Sequence, residues 1–234
     1  MVAVLRREFS SYFSSPIGYV FLAVFFAFSG FFLYITTLQT GTVNITSVFS
    51  QMFTILIFLI PILTMRLLSE DKKQKTDQAL LTAPLSLTGL VVGKFLAAFF
   101  IFALGVSVML LYAVVLSAFA TIEWTVFFGN VVGLLLLGGA LISVGLFVSG
   151  LTENQVVAAV GSFAIMMLLM LIDMIAGAIP IKFISNFIYK ISFFDKYNEF
   201  TVGIFNFASI LFFISFIVVF LFLTIRALEK RRWS

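Results

Sequence analysis

Asp173 is a carboxylate inside the apolar run MMLLMLIDMIAGAIP, and an ionisable group in such a place is by default a functional hypothesis. Two uses fit it: lining a polar route through the membrane, or facing the outer interface, since it lies only about 9 Å from the end of its apolar run at the helical rise. A second candidate is Gly89-Leu90-Val91-Val92-Gly93-Lys94-Phe95, which superficially resembles a phosphate-binding loop. That loop needs four residues before its Gly-Lys pair and a hydroxyl after the lysine to hold magnesium. Here three residues intervene and Phe95 follows, so the motif does not bind ATP. Glu153 and Asn154, in the turn TENQ, have the character of helix caps. The chain has no cysteine and no histidine, which removes disulfides, zinc centres, histidine-ligated haem and Ser-His-Asp catalysis. No apolar run holds two carboxylates, so an intramembrane enzyme has little support.

The elements that must position these residues are membrane helices. Hydrophobic residues make up 62% of the 234, charged residues 10%, and mean hydropathy is +1.22, against roughly 25% charge in soluble domains. No charge falls between Glu8 and Arg66, between Lys94 and Glu123, or between Glu199 and Arg226. Each stretch exceeds the about 20 residues a helix needs to cross a hydrocarbon core. Strict polar alternation is absent, which excludes an outer-membrane barrel. Backbone groups in lipid must pair within their own segment, so the runs are helices and the fold class is an all-α membrane protein. Six spans are expected, at 17–38, 47–67, 90–118, 127–151, 156–179 and 204–227, in one transmembrane domain covering 1–234. The glycines of span four, Gly129, Gly133, Gly138, Gly139, Gly145 and Gly150, allow another helix to approach closely, within the chain or across a dimer seam.

Of the fourteen lysines and arginines, all but Lys182, Lys190 and Lys196 fall in the two tails or between spans two and three. The positive-inside rule then puts both termini in the cytoplasm. A net charge of +4 does not point to nucleic acid, because the basic residues flank apolar runs. Residues 1–15 set Val2, Leu5, Phe9 and Tyr12 on one helical face, the pattern of an amphipathic helix in the interface, with Ser14 or Ser15 and Pro16 starting the next helix. In the loop 68–89, Leu80 and Leu81 stand beside a charged stretch, and Pro84 stops any helix before it. Two uses fit these leucines: a plug for a partner's groove, or packing on the chain's own helix ends. On the outer side, 180–203 carries Phe183, Ile184, Phe187, Ile188 and Ile191 at helical spacing, an amphipathic element on or in the outer leaflet.

SSPIGYVF after the first helix, LTMRLLSEDKKQKTDQALLTAPLSLTGLVVGKF, and the turn SGLTENQVVAAV together resemble the permease subunits of ABC-2 type exporters. The likeness is greatest to the branch with gliding-motility-associated and nitrous-oxide-reduction-associated permeases. The family pattern between spans two and three, E-(basic)-x-G-T-x-E-x-L-L-x-x-P-x-S ending in G-K, is met at Glu70, Lys72, Lys73, Thr76, Leu80, Leu81, Pro84, Ser86, Gly93 and Lys94. Lys75 stands where the pattern has glycine and Gln78 where it has glutamate. The resemblance implies a half-transporter. Two six-span permeases, identical or paralogous, pair in the bacterial inner membrane above two copies of a separate ABC ATPase that holds ATP and magnesium, this chain carrying no cofactor. It makes 1–15 an elbow helix and 70–82 a coupling helix docked in the ATPase, which assigns Leu80 and Leu81 to the partner. It also puts short helices at the outer leaflet before span six, and a substrate route along the dimer axis lined by spans two and five. Lipids, polysaccharides, drugs and peptides are the substrates it implies. A different class of function, a membrane anchor for a motility or secretion assembly, fits the same residues.

Overall fold

The computed structural model of the chain describes residues 2–42, 44–75, 86–178, 192–204 and 206–232. Among these there is no strand. The helices are α1 (Val2–Ser14), α2 (Pro16–Leu33, running on through a π turn at Tyr34–Leu38), α3 (Ile45–Thr64), α4 (Ser69–Lys73), α5 (Leu87–Ser117), α6 (Trp124–Leu151), α7 (Gln155–Ala178), α8 (Phe193–Thr201) and α9 (Phe207–Arg232). Six of them, α2, α3, α5, α6, α7 and α9, are long and apolar enough to cross a membrane, as the hydropathy of the sequence requires. At 31 residues, α5 is about 46 Å long and outreaches a hydrocarbon core of about 30 Å.

The axis of the bundle is α6. Of its most apolar window 72% is buried, against 17% for α7 and for α9, and it packs on α3, α5, α7, α8 and α9. Glycine makes this possible. A Cβ at Gly138 would lie 2.1 Å from Phe102 Cε1, and one at Gly145 would lie 2.1 Å from the Thr64 hydroxyl, so α5 and α3 sit against bare backbone. A Cβ at Gly133 would meet Phe200 of α8 at 2.6 Å. Gly133, Gly138, Gly139, Gly145 and Gly150 of span four thus each meet side chains of this chain.

At the end of the bundle away from the termini, α8 turns back onto the core. Ser192 caps it, accepting from the Asp195 amide at 2.9 Å, and Phe193, Tyr197 and Phe200 are fully buried. Tyr197 donates to the Phe49 carbonyl at 2.7 Å and stacks on Phe53 at 5.7 Å, while Phe193 meets Phe216 of α9 edge-on at 4.7 Å. The apolar stretch at 183–191 lies outside the described residues.

Both termini are at the other end. α1 packs on α2 and α5, and Arg231 near the end of α9 pairs with Glu153 in the α6–α7 turn at 2.9 Å. Asn154 caps α7, accepting from the Val156 amide at 2.9 Å. The bend between α1 and α2 falls at Ser15, with Pro16 in the first turn of α2. Ser15 makes no side-chain cap of its own, because its hydroxyl accepts from Arg66 at 2.6 Å. The buried stripe of α1 also differs from the expected one. Val2 is exposed, whereas Val4 and Tyr12 are buried with Glu8 between them, and Glu8 can take that place because a cation from α5 meets it.

Candidate functional site

Among the described residues, charge is most concentrated at the end that holds the termini, where α1, the end of α3, α4 and the first turns of α5 meet. Arg7, Glu8, Ser11, Arg66, Glu70, Asp71, Gln74 and Lys94 line a cavity of about 210 Å³ there. At its centre is Lys94, in the second turn of α5, with a side chain only 2% exposed. Its Nζ lies 3.0 Å from Glu8 Oε1 of α1 and 2.7 Å from Asp71 Oδ2 of α4. A buried lysine is strongly unfavourable unless paired, and here two carboxylates from two other elements pair with it. Arg7 adds a second bridge, 2.6 Å from Glu8 and 3.9 Å from Asp71. Burial by itself would raise the Glu8 carboxyl pKa, but the Lys94 charge and hydrogen bonds from Arg7 and Lys94 outweigh it and hold it below the usual 4.5.

Arg66, just past α3, organises the other half. It donates to the hydroxyls of Ser15 and Ser11, pairs with Glu70 at 3.2 Å, and lies over the Tyr12 ring at 5.7 Å. Tyr12 in turn donates to the Leu63 carbonyl at 2.8 Å. These contacts lock α1 against the end of α3. Burial pushes the Tyr12 phenol pKa up, so it stays a donor.

The break between α3 and α4 is held from α6. Ser149, fully buried, accepts from the amides of Leu68 and Ser69 at 3.0 Å each and donates to the Met65 carbonyl at 3.0 Å. One hydroxyl thus satisfies three backbone groups where the helix is interrupted. Lys72 donates to the Gly150 carbonyl beside it. α4 has Glu70 and Asp71 in its first turn and Lys72 and Lys73 in its last, charges that suit the helix dipole at both ends. It ends at Lys73, and Lys75 just beyond has a left-handed φ of +57°, a conformation glycine adopts without strain, so the single helix expected over 70–82 is interrupted there. This is the position at which the sequence pattern carries glycine.

Of the residues singled out in the sequence, Glu70 sits in this cluster, tied to Arg66 and accepting from Gln74 at 3.2 Å. Thr76, Gln78, Leu80, Leu81 and Pro84 lie outside the described residues, as does the side chain of Asp173, whose backbone belongs to α7. Gly93 and Lys94 are in the interior of a continuous helix capped by Ser86, which accepts from the Gly89 amide at 3.2 Å. An unbroken helix cannot wrap a phosphate, and the Lys94 ammonium is taken up by carboxylates. The sequence does not reveal that Lys94 meets Glu8, 86 residues away; its one signal is a lysine isolated in an apolar run, which requires a partner. Ser149 gives no signal, since serine is commonplace in membrane helices.

The family model described as ABC-2 family transporter protein matches residues 2–233. None of the curated proteins searched matches the chain. The match takes in α1, all six long helices and the charge cluster, so the cluster lies within the family's own unit. With a match of that extent on a six-span helical chain, the protein belongs to the ABC-2 family of transporter proteins, the membrane permease component of an ABC transporter that associates with an ABC ATPase subunit.

Proposed function

We propose that the chain is an export permease of the bacterial cytoplasmic membrane, both termini cytoplasmic, moving a lipid-like, polysaccharide or peptide substrate with ATP hydrolysed by two copies of a separate ATPase. The observation that carries this reading is the bracing of α4, the first part of the loop between spans two and three. It is held by α1 and α5 through Asp71, by the end of α3 through Glu70, and by α6 through Ser149 and Lys72. A loop that takes the push of a soluble motor needs such a base, because force on a free loop would move the loop alone. The ATPase docks on the loop that begins at α4 and runs on past the break at Lys75, with Glu70 bracing its base and Thr76, Gln78, Leu80, Leu81 and Pro84 as the residues that meet the partner. ATP and magnesium belong to that partner. Eleven of the fourteen basic residues in the tails and this loop support the cytoplasmic assignment.

The permease pairs with a second copy or a close paralogue. Phe58 of α3 lies against Phe163 of α7 at 5.0 Å with Ile62 and Val160 exposed beside them, an apolar face that a second copy would cover in place of lipid. Asp173 belongs to the substrate route between the two halves.

The test is ATPase activity of the co-purified complex in proteoliposomes across a panel of lipids, oligosaccharides and peptides. Stimulation by one class, changed by Asp173→Asn without loss of assembly, is the expected result. Activity indifferent to the whole panel would replace export with a membrane anchor driven by the ATPase.

A further inference from the structure

Lys94 joins elements that are far apart in the chain: α1 through Glu8, α4 through Asp71, and its own helix α5. All three groups are shielded, with side chains 2%, 12% and 17% exposed. An ion pair in such a place gains little net stability over well-packed apolar side chains, yet removing one partner strands a buried charge. Its value is therefore geometric. A compact ammonium with three donors can serve two carboxylates at once and holds them at fixed separation. Arg7 sits beside the same two carboxylates and Arg66 ties the end of α3 to the hydroxyls of α1, so α1 is fastened to the base of the loop by charge and hydrogen bonds on both sides.

We propose that Lys94 is a positioning residue for energy coupling: by holding Asp71 of α4 and Glu8 of α1 on one ammonium, it makes movement of the loop also move α1, and with α1 the membrane helix α2. This rests on the reading that the loop receives the motion of the ATPase. Packing across the bend supplies the second half of the lever. Tyr12 is fully buried, and a Cβ at Gly18 would lie 2.6 Å from its carbonyl oxygen, so α1 and α2 are in contact with no slack between them. Displacement of α1 is therefore passed to α2.

The experiment is hydrogen exchange of the amides in 2–14, in the whole permease–ATPase complex in lipid nanodiscs, without nucleotide and trapped with ATP and vanadate. In the native chain, exchange in 2–14 differs between the two states. Asp71→Asn leaves Lys94 paired with Glu8, so α1 stays docked, and leaves the Arg66 link from Glu70 to Ser11, but it sharply reduces that difference while ATPase still co-purifies. Lys94→Met sharply reduces it too and speeds basal exchange of α1 by about tenfold, as expected of a lost charge-assisted bond. Lys94→Arg restores the nucleotide response. Should Lys94→Met fail to fold, Asp71→Asn decides alone. A native response retained in Asp71→Asn, or no response in the native complex, overturns the proposal. Failure of the ATPase to co-purify with the native chain would instead overturn the functional reading on which it rests.

Discussion

A left-handed residue that is not glycine is held there by its surroundings, at a cost of about 1–2 kcal/mol, and Lys75 is such a residue. Lys75→Gly should leave the end of α4 as stable as before or firmer, while Lys75→Val, β-branched, should loosen it by about 1–2 kcal/mol. Hydrogen exchange of the Gln74 and Lys75 amides, which bond to the Glu70 and Lys72 carbonyls, reads the difference. Equal protection in both variants would show that the position is not strained. Glu8 gives a prediction in pH. Its carboxyl titrates lower in the folded chain than in the unfolded one, so the stability it contributes is fully present above the usual value of 4.5 and lost as pH falls through the depressed one. The groups that face it are Arg7 and Lys94, with Asp71 beside them. Thermal unfolding in detergent should show an acid limb below pH 4.5 that flattens in Glu8→Gln, and an unchanged limb would contradict the pairing. The sequence exposed the strain at Lys75 only as a departure from a pattern, and it hid the Glu8–Lys94 pair, because nothing local ties residues brought together by the crossing of two helices.

At the level of elements, hydropathy made the six spans legible, since each helix in lipid must satisfy its own backbone and so writes its length into the sequence. The short helices were harder to read. Amphipathic spacing reveals α1, but its inward face includes Glu8, which no apolar pattern would select. α8 buries Phe193, Tyr197 and Phe200 within the polar-looking stretch FFDKYNEFT, so its composition masked its packing. The break after α3 depends on one residue of another helix. Ser149→Ala leaves the Leu68 and Ser69 amides without their acceptor inside the protein, a loss of about 1–3 kcal/mol. Faster exchange in 66–73 and a lower Tm are expected, with exchange in α2 unchanged. Native protection of 66–73 in that variant would mean that Lys72 and Ser69 hold the break unaided.

At the scale of the whole molecule, the arrangement is a bundle turned on the glycine-lined α6, with a charge-braced platform at the end bearing both termini. The proposed orientation, with both termini cytoplasmic, rests on the basic residues, and the absence of native cysteine makes it directly testable. A single cysteine at Gln74 should label only from the cytoplasm and one at Thr42 only from outside. The reverse pattern would refute the orientation. Membership of the family was legible because its pattern is concentrated in the loop between spans two and three, where Lys94, Glu70 and the two leucines are read together. The roles of those residues were not, since a buried lysine and a topology-setting lysine look alike in a linear string.

The central claim is that a separate ATPase drives this permease through the loop beyond α4. Leu80 and Leu81 are apolar side chains next to a charged stretch, and docking them removes surface from water at about 25 cal/mol per Å², whereas burying unpaired carboxylates in their place is costly. The decisive measurement is therefore co-purification and coupled activity of the ATPase with the native chain and with Leu80→Asp combined with Leu81→Asp. The native chain should bring down an active ATPase, and the double variant should be expressed and inserted normally yet recover none, or recover one whose hydrolysis no longer responds to the permease. A double variant that retains a fully coupled ATPase would contradict the account and return the two leucines to packing against the chain's own helix ends.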